Sequence, residues 1–298
     1  MEDTINSPVS WLFKYIFGRL ENTNPDYIDR VIMPLVDDCK LNTGIVIDQS
    51  KAGKFRAYVN SEGKITITEN FLCYIWNLCY FGLVSYEEGV ARYWDNKQKG
   101  IKEDNINHIA LRVAEECRQY AMSLHWGYDE WPENLPKPNN HDKNEAVNFT
   151  NQLFLYAVNY ILCHEIAHIS LGHSVGVSSE RSFEQEYEAD EMAFQEILKG
   201  RDGKNNLTVE LGVLMGFCAM IMASPSDKDG ITHPSSLKRL KSFIDFVSPA
   251  PDSQMWSVLC LYLGVWDFVF NKGYDPYSIE FESHKELFDK FMEKAPEQ

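Results

Sequence analysis

The chain has 298 residues, 44% of them hydrophobic, 13% aromatic and 24% charged. A chain this long can bury enough apolar surface to fold without disulfides or an oligomeric partner, and its aromatic content excludes a mainly disordered protein. With 28 Lys and Arg against 44 Asp and Glu the formal charge is -16. That disfavours nucleic-acid binding and docking on anionic lipid, because both need basic surface.

Residues 8–40 predict one or two amphipathic helices. The start of the chain is acidic, with Lys14 inside its apolar run, the reverse of a secretory signal. Residues 44–69 are β-rich: GIVID, FRAYVN and KITITE, with Ser61-Glu62-Gly63 between the last two. They predict a small antiparallel sheet, as a hairpin or a three-stranded meander. From about residue 70 the pattern is helical. Ser85 with Glu88 reads as a capping box for a helix to about residue 97, and Asp104 or Asn105 opens another to about 124. Trp126 to Asn140 holds three prolines and is irregular, either a recognition surface or a loop packed by its aromatics.

The next helix opens near Asp142, or at Thr150 or Asn151, and runs to Leu171, with Gly172 placed to stop it. Ser178 or Ser179 opens another that ends before Gly200. Helices near 207–224, 234–247, 254–270 and 283–294 complete the chain, Pro234 taking the first helical position of its own. The apolar run Met255 to Phe270 contains Asp267 and is shorter than the ~20 residues a spanning helix needs, so a buried core helix is expected and no stable membrane insertion. Seven cysteines without a CxxC pair fit reduced, cytosolic usage. The reading is a single α+β domain, mainly α-helical. Its parts are N-terminal helices (1–43), the small sheet (44–69), a helical catalytic core (70–247) and C-terminal helices (248–298).

The segment NYILCHEIAHISLGH carries the chemistry. In His164-Glu165-Ile166-Ala167-His168, positions i and i+4 lie about 40° apart on a helix, so two imidazoles can meet one ion. Glu165, about 100° from His164, can reach a water on that ion. The stripe Leu153, Phe154, Ala157, Val158, Ile161 and Ile169 includes both histidines. Cys163 points away from His164 and reads as a buried, inert thiol.

A catalytic zinc site usually has a third protein ligand. On the next helix, Phe183, Ala193 and Ile197 define a buried stripe that includes Glu186 and Asp190, whereas Glu184 and Glu191 lie at or beyond its margin and Glu188 on the far side. A carboxylate on an apolar stripe needs a partner. Glu186 is therefore the expected third ligand, and Asp190, one turn later, the expected acceptor for a ligand imidazole N–H. Continuing the helix places His173 about 180° from His164, where it reads as a C-terminal histidine favoured by the helix dipole. Further on, His233 precedes Pro234, where it can lean over the metal and stabilise an oxyanion or serve as a cap.

HExxH, the following ExxxD (Glu186 to Asp190) and HPxxxxR (His233 to Arg239) together resemble the gluzincin metallopeptidases. More closely, the chain resembles the Lit-type phage-exclusion peptidases, through YIW at Tyr74 to Trp76, WPENLPKP at Trp131 to Pro138, ILCHEIAHISLGH, EYEAD and THPSSLKRL. The resemblance covers about residues 70–245. It implies a zincin-like core built on the HExxH helix and a zinc-dependent endopeptidase of the bacterial cytoplasm holding one Zn2+. It implies His164, His168 and Glu186 as ligands, Glu165 as general base, and His233 with Arg239 as a substrate or transition-state pair. It further implies cleavage of host elongation factor Tu, triggered by a phage-derived polypeptide, as an abortive defence. A non-catalytic, zinc-stabilised regulator that acts by protein binding is the alternative.

Overall fold

Apolar residues at helical spacing form helices throughout the computed structural model, which describes residues 6–42, 44–51, 55–60, 62–101, 105–139, 144–199, 206–275, 278 and 280–294. After a 3-10 turn at Pro8–Leu12 come α1 (Phe13–Thr23), the single turn α2 (Pro25–Tyr27), a π-helical turn at Ile28–Ile32 and α3 (Met33–Asp37). Asn24 breaks this series. Its side chain accepts the Tyr27 N–H at 3.2 Å, and Pro25 takes the first helical position after it.

Three strands follow, β1 (Val46–Asp48), β2 (Ala57–Val59) and β3 (Ile65–Thr68), in the order β1-β3-β2. β2 and β3 pair antiparallel as expected, but β1 pairs with β3 in parallel, with Val46 opposite Thr66, so the sheet is mixed and is not a meander. Burial matches the order. Every residue of β3 is buried, whereas β1 and β2 are half-buried, as befits a central strand between two edges.

β3 runs directly into α4 (Glu69–Val84). Ser85 does not cap a new helix. It is helical itself, and the chain continues through a π-helical turn at Ser85–Ala91 into α5 (Arg92–Lys99). With no break before Ser85 there is no free N-terminus for a capping box. Glu88 pairs with Arg92 at 2.7 Å and accepts the Asn107 N–H at 3.0 Å. Asn107 caps α6 (His108–Ser123), while Asp104 lies outside the described residues. Asn144 caps α7 (Glu145–Ser170), so Thr150 and Asn151 fall inside that helix, and Asp142 lies outside the described residues. Then come α8 (Ser179–Leu198) capped by Ser178, α9 (Asn206–Met222), α10 (Ser236–Val247), α11 (Gln254–Phe270) and α12 (His284–Lys294). Ser235 is the cap of α10, which leaves Pro234 just before the helix instead of in its first turn.

α7 is the axis of the molecule. At 26 residues it is about 39 Å long, and it packs against α9, α8, α4 and α1. The approach of α9 is close because position 212 has no side chain: a Cβ on Gly212 would lie 2.3 Å from the Tyr156 Cβ. A continuous apolar core extends from Val9 to Phe291. α11 is buried in it, and Asp267 is accommodated by accepting the N–H groups of Tyr274 at 2.8 Å and Asp275 at 2.9 Å. Among the described residues no helix is long and apolar enough to cross a membrane. In the proline-rich loop Trp131 packs between Trp76 and Tyr120, with Leu135 also buried, whereas Trp126 faces solvent. Asn140 lies outside the described residues. All seven cysteines are free thiols; Cys39 is exposed and the rest, including Cys163, are buried.

Candidate metal centre

The last turns of α7 carry His164 and His168, and α8 packs beside them with Glu186 and Asp190 facing inward. His164 Nε2 lies 3.1 Å from His168 Nε2, and each is 3.5 Å from a Glu186 carboxylate oxygen. One donor atom from each residue falls within 4.8 Å of the others. Ligands of a tetrahedral zinc, each about 2.0–2.2 Å from the metal, sit roughly 3.3–3.5 Å apart, so the spacing suits a single small ion.

The proton positions make the same point. His164 Nδ1 is 2.9 Å from Asp190 Oδ1, an acceptor, so that nitrogen carries the hydrogen and Nε2 presents a lone pair. His168 Nδ1 is 2.7 Å from His173 Nδ1, and His173 Nε2 is 2.9 Å from Glu188 Oε2. Glu188 holds a hydrogen on His173 Nε2, and in the neutral imidazole this makes Nδ1 an acceptor and places the hydrogen of His168 on Nδ1. In the neutral forms that a metal requires of its ligands, both Nε2 lone pairs point into the space also faced by Glu186. Glu186 Oε2 is buried there without a hydrogen bond. In those neutral forms three electron-pair donors converge on one point, which fits a cation taking the place of the proton that His164 otherwise holds there.

Asp190 is held from several sides. Arg239 donates to both its oxygens at 2.7 Å, and the Tyr160 hydroxyl donates to Oδ1 at 2.7 Å. Burial opposes its ionisation, but Arg239 and then His164 outweigh that and hold the carboxyl well below its ordinary range. Arg239 Nη1 lies 3.3 Å from Glu186 Oε2, and the side chain is itself buried. Burial likewise disfavours the imidazolium of His164, yet Asp190 and Glu186 push it up to about 9. For His168, burial and the neighbouring His164 act together and lower it to about 4. The two carboxylates thus favour one positive charge at the convergence point.

A cavity of about 180 Å³ opens onto this centre, lined by Glu165, Glu186, Ile161, Met220, His233 and Arg239 among others. Burial pushes Glu165 up to about 7, against the opposing charge of His164. His233 stands at the mouth with its side chain 62% exposed, Nε2 3.4 Å from Glu186 Oε1 and Nδ1 2.7 Å from the Thr232 hydroxyl. Arg56 and Ala57, at the start of β2, form the facing wall. Thr68 N–H donates to Arg56 C=O and Asn60 N–H to Lys64 C=O, each at 3.1 Å. By the alternation of an antiparallel ladder the main-chain groups of Ala57 and Val59 point away from β3, on the side where the Val59 N–H donates to the Glu165 carboxyl.

Sequence reasoning assigned neither Tyr160, nor Glu188, nor the contact made by His173. The helical wheel was extended past the point where the helix stops. Gly172 adopts φ +67°, and two closing bonds form, Gly172 N–H to Ile169 C=O at 3.1 Å and His173 N–H to His168 C=O at 3.0 Å. This is a Schellman cap, which returns the residue after the glycine onto the residue five before it. Gly172 was the available signal.

The family Peptidase U49 matches residues 65–259. The chain belongs to that family. The match takes in Glu165, both histidines of the centre, Glu186, Asp190, His233 and Arg239, and begins at β3, after the edge strand β2. The chain is also 28% identical over 204 residues to the cell death peptidase of Escherichia coli K12, a match spanning 65% of this chain and 65% of that protein. No solved structure matches.

Proposed function

We propose that the protein is a zinc-dependent endopeptidase that cleaves a cytosolic protein. The observation that carries this reading is the convergence of His164 Nε2, His168 Nε2 and a Glu186 oxygen beside the buried carboxyl of Glu165. Two imidazoles and a carboxylate are a ligand set used by zinc hydrolases, and a general base next to them has no use at a purely structural site. Bound there, zinc supplies Lewis acidity toward a peptide carbonyl and makes a water more acidic. Glu165 takes the proton of the attacking water and passes it to the leaving amine, and its burial favours the protonated form it takes between the two steps. His233, at the cavity mouth, offers a donor to the developing oxyanion. Arg239 and Asp190 hold His164 and Glu186 in place. An extended substrate adds alongside β2 at Ala57, which lines the cavity next to Glu165.

Family membership, the cell death peptidase relative and the Lit-type motifs support a role in abortive phage defence, with host elongation factor Tu as the first substrate to examine and a phage-derived polypeptide as the trigger. A protease aimed at an essential host protein has to stay idle until infected. The test compares new protein termini in cells producing the wild type or Glu165→Gln, with and without phage challenge. New termini on one host protein, present only with wild type and only after challenge, are expected. Identical termini in both strains would remove Glu165 and peptide hydrolysis from the account.

A further inference from the structure

We infer that His173 and Glu188 position the metal ligand His168, as the far end of a relay that mirrors the one on His164. The inference rests on the metal reading above and adds two residues to it. His164 donates from Nδ1 to Asp190, and Asp190 is gripped by Arg239. His168 Nδ1 meets His173 Nδ1 at 2.7 Å and His173 Nε2 meets Glu188 at 2.9 Å, which with neutral rings is a relay from His168 through His173 to Glu188, and Glu188 is gripped by Arg181 at 2.9 and 3.1 Å. Each ligand imidazole thus ends on a carboxylate that an arginine anchors. The second relay interposes one more imidazole.

The backbone builds this contact. The Schellman cap at Gly172 places His173 against His168, where such caps ordinarily carry an apolar pair. The His173 side chain is only 4% exposed, so its ring is fixed by packing. It engages the nitrogen of His168 remote from Glu186, which excludes it from the ligand set and leaves Nε2 free. A hydrogen-bond acceptor behind a ligand imidazole fixes its tautomer and its ring orientation, and the charge on Glu188 increases the electron density His168 offers. Glu188 lies on the outer side of α8, 45% exposed, and meets the centre only through His173.

The experiment titrates metal-free wild type, His173→Ala, His173→Gln and Glu188→Gln with Co2+. It reads the visible absorption of the bound ion and then its displacement by Zn2+. Wild type binds one ion. His173→Ala binds it about 10–100-fold more weakly, with a shifted absorption band. His173→Gln recovers part of the loss, because its amide oxygen can still accept the His168 N–H, which a merely space-filling role would not predict. Glu188→Gln weakens binding less than His173→Ala does. It changes only a surface group, so it decides the matter even if His173→Ala fails to fold. Wild-type affinity and spectrum in His173→Ala and Glu188→Gln would overturn the relay alone. A wild type that binds no Co2+ would overturn the metal reading, and the relay with it.

Discussion

Asp190 is 1% exposed and accepts hydrogen bonds from Arg239, Tyr160 and His164. The largest part of what keeps its charge in the core comes from Arg239, also buried, which lies against both oxygens. Removing one member of such a pair leaves the other charged and desolvated. Asp190→Ala is therefore expected to cost about 3–5 kcal/mol of stability, measured by urea unfolding of the metal-free protein. A loss below about 1 kcal/mol would show that Glu186, 3.3 Å from Arg239 Nη1, suffices as its partner. In the same sequence, Glu186 and Asp190 were legible because two carboxylates on an apolar stripe require compensation. The engagement of Arg239 was not legible, since Arg239 follows Asp190 by 49 residues and only packing sets which face of α10 meets Asp190.

Helix packing at the element scale depends on where side chains are missing. α9 lies close on α7 because Gly212 leaves room for Tyr156. Gly212→Ala puts a methyl group inside the space of the Tyr156 Cβ, a backbone-proximal atom that cannot swing aside. The expected cost is about 1–3 kcal/mol, seen as a lower denaturant midpoint at unchanged slope. A midpoint at or above that of wild type would mean that α9 shifts freely. The consequence reaches the site, because Tyr160, one turn along α7, donates to Asp190. In the sheet, the strand segments were legible from β-branched alternation. The parallel pairing of β1 was not, because it depends on which strand takes the centre of the sheet.

For the molecule as a whole, the centre joins α7 to α8 through Glu186 and to the loop before α10 through His233. A ligand that binds only the folded state stabilises it by mass action, and one held at a hundred times its dissociation constant contributes about 2.7 kcal/mol. Zn2+ added to the metal-free protein should therefore raise the thermal midpoint in a concentration-dependent way, and Glu186→Ala should lose most of that rise. An equal rise in Glu186→Ala would place the stabilising ion elsewhere.

The amino-acid sequence by itself determined the local periodicities: HExxH within one helix, Glu186 and Asp190 one turn apart on the next, and a chain made mostly of helices with a short β-rich stretch near its start. These follow from the fixed angular step of a helix and the two-residue repeat of a strand, which need no knowledge of neighbours. Only the tertiary structure decided that β3 is central, that Arg239 serves the carboxylates, and that Glu188, on the outer side of its own helix, reaches the centre through His173. Each of these depends on how one element is set against another, and that is fixed by the joint burial of many side chains rather than by the spacing within any one segment.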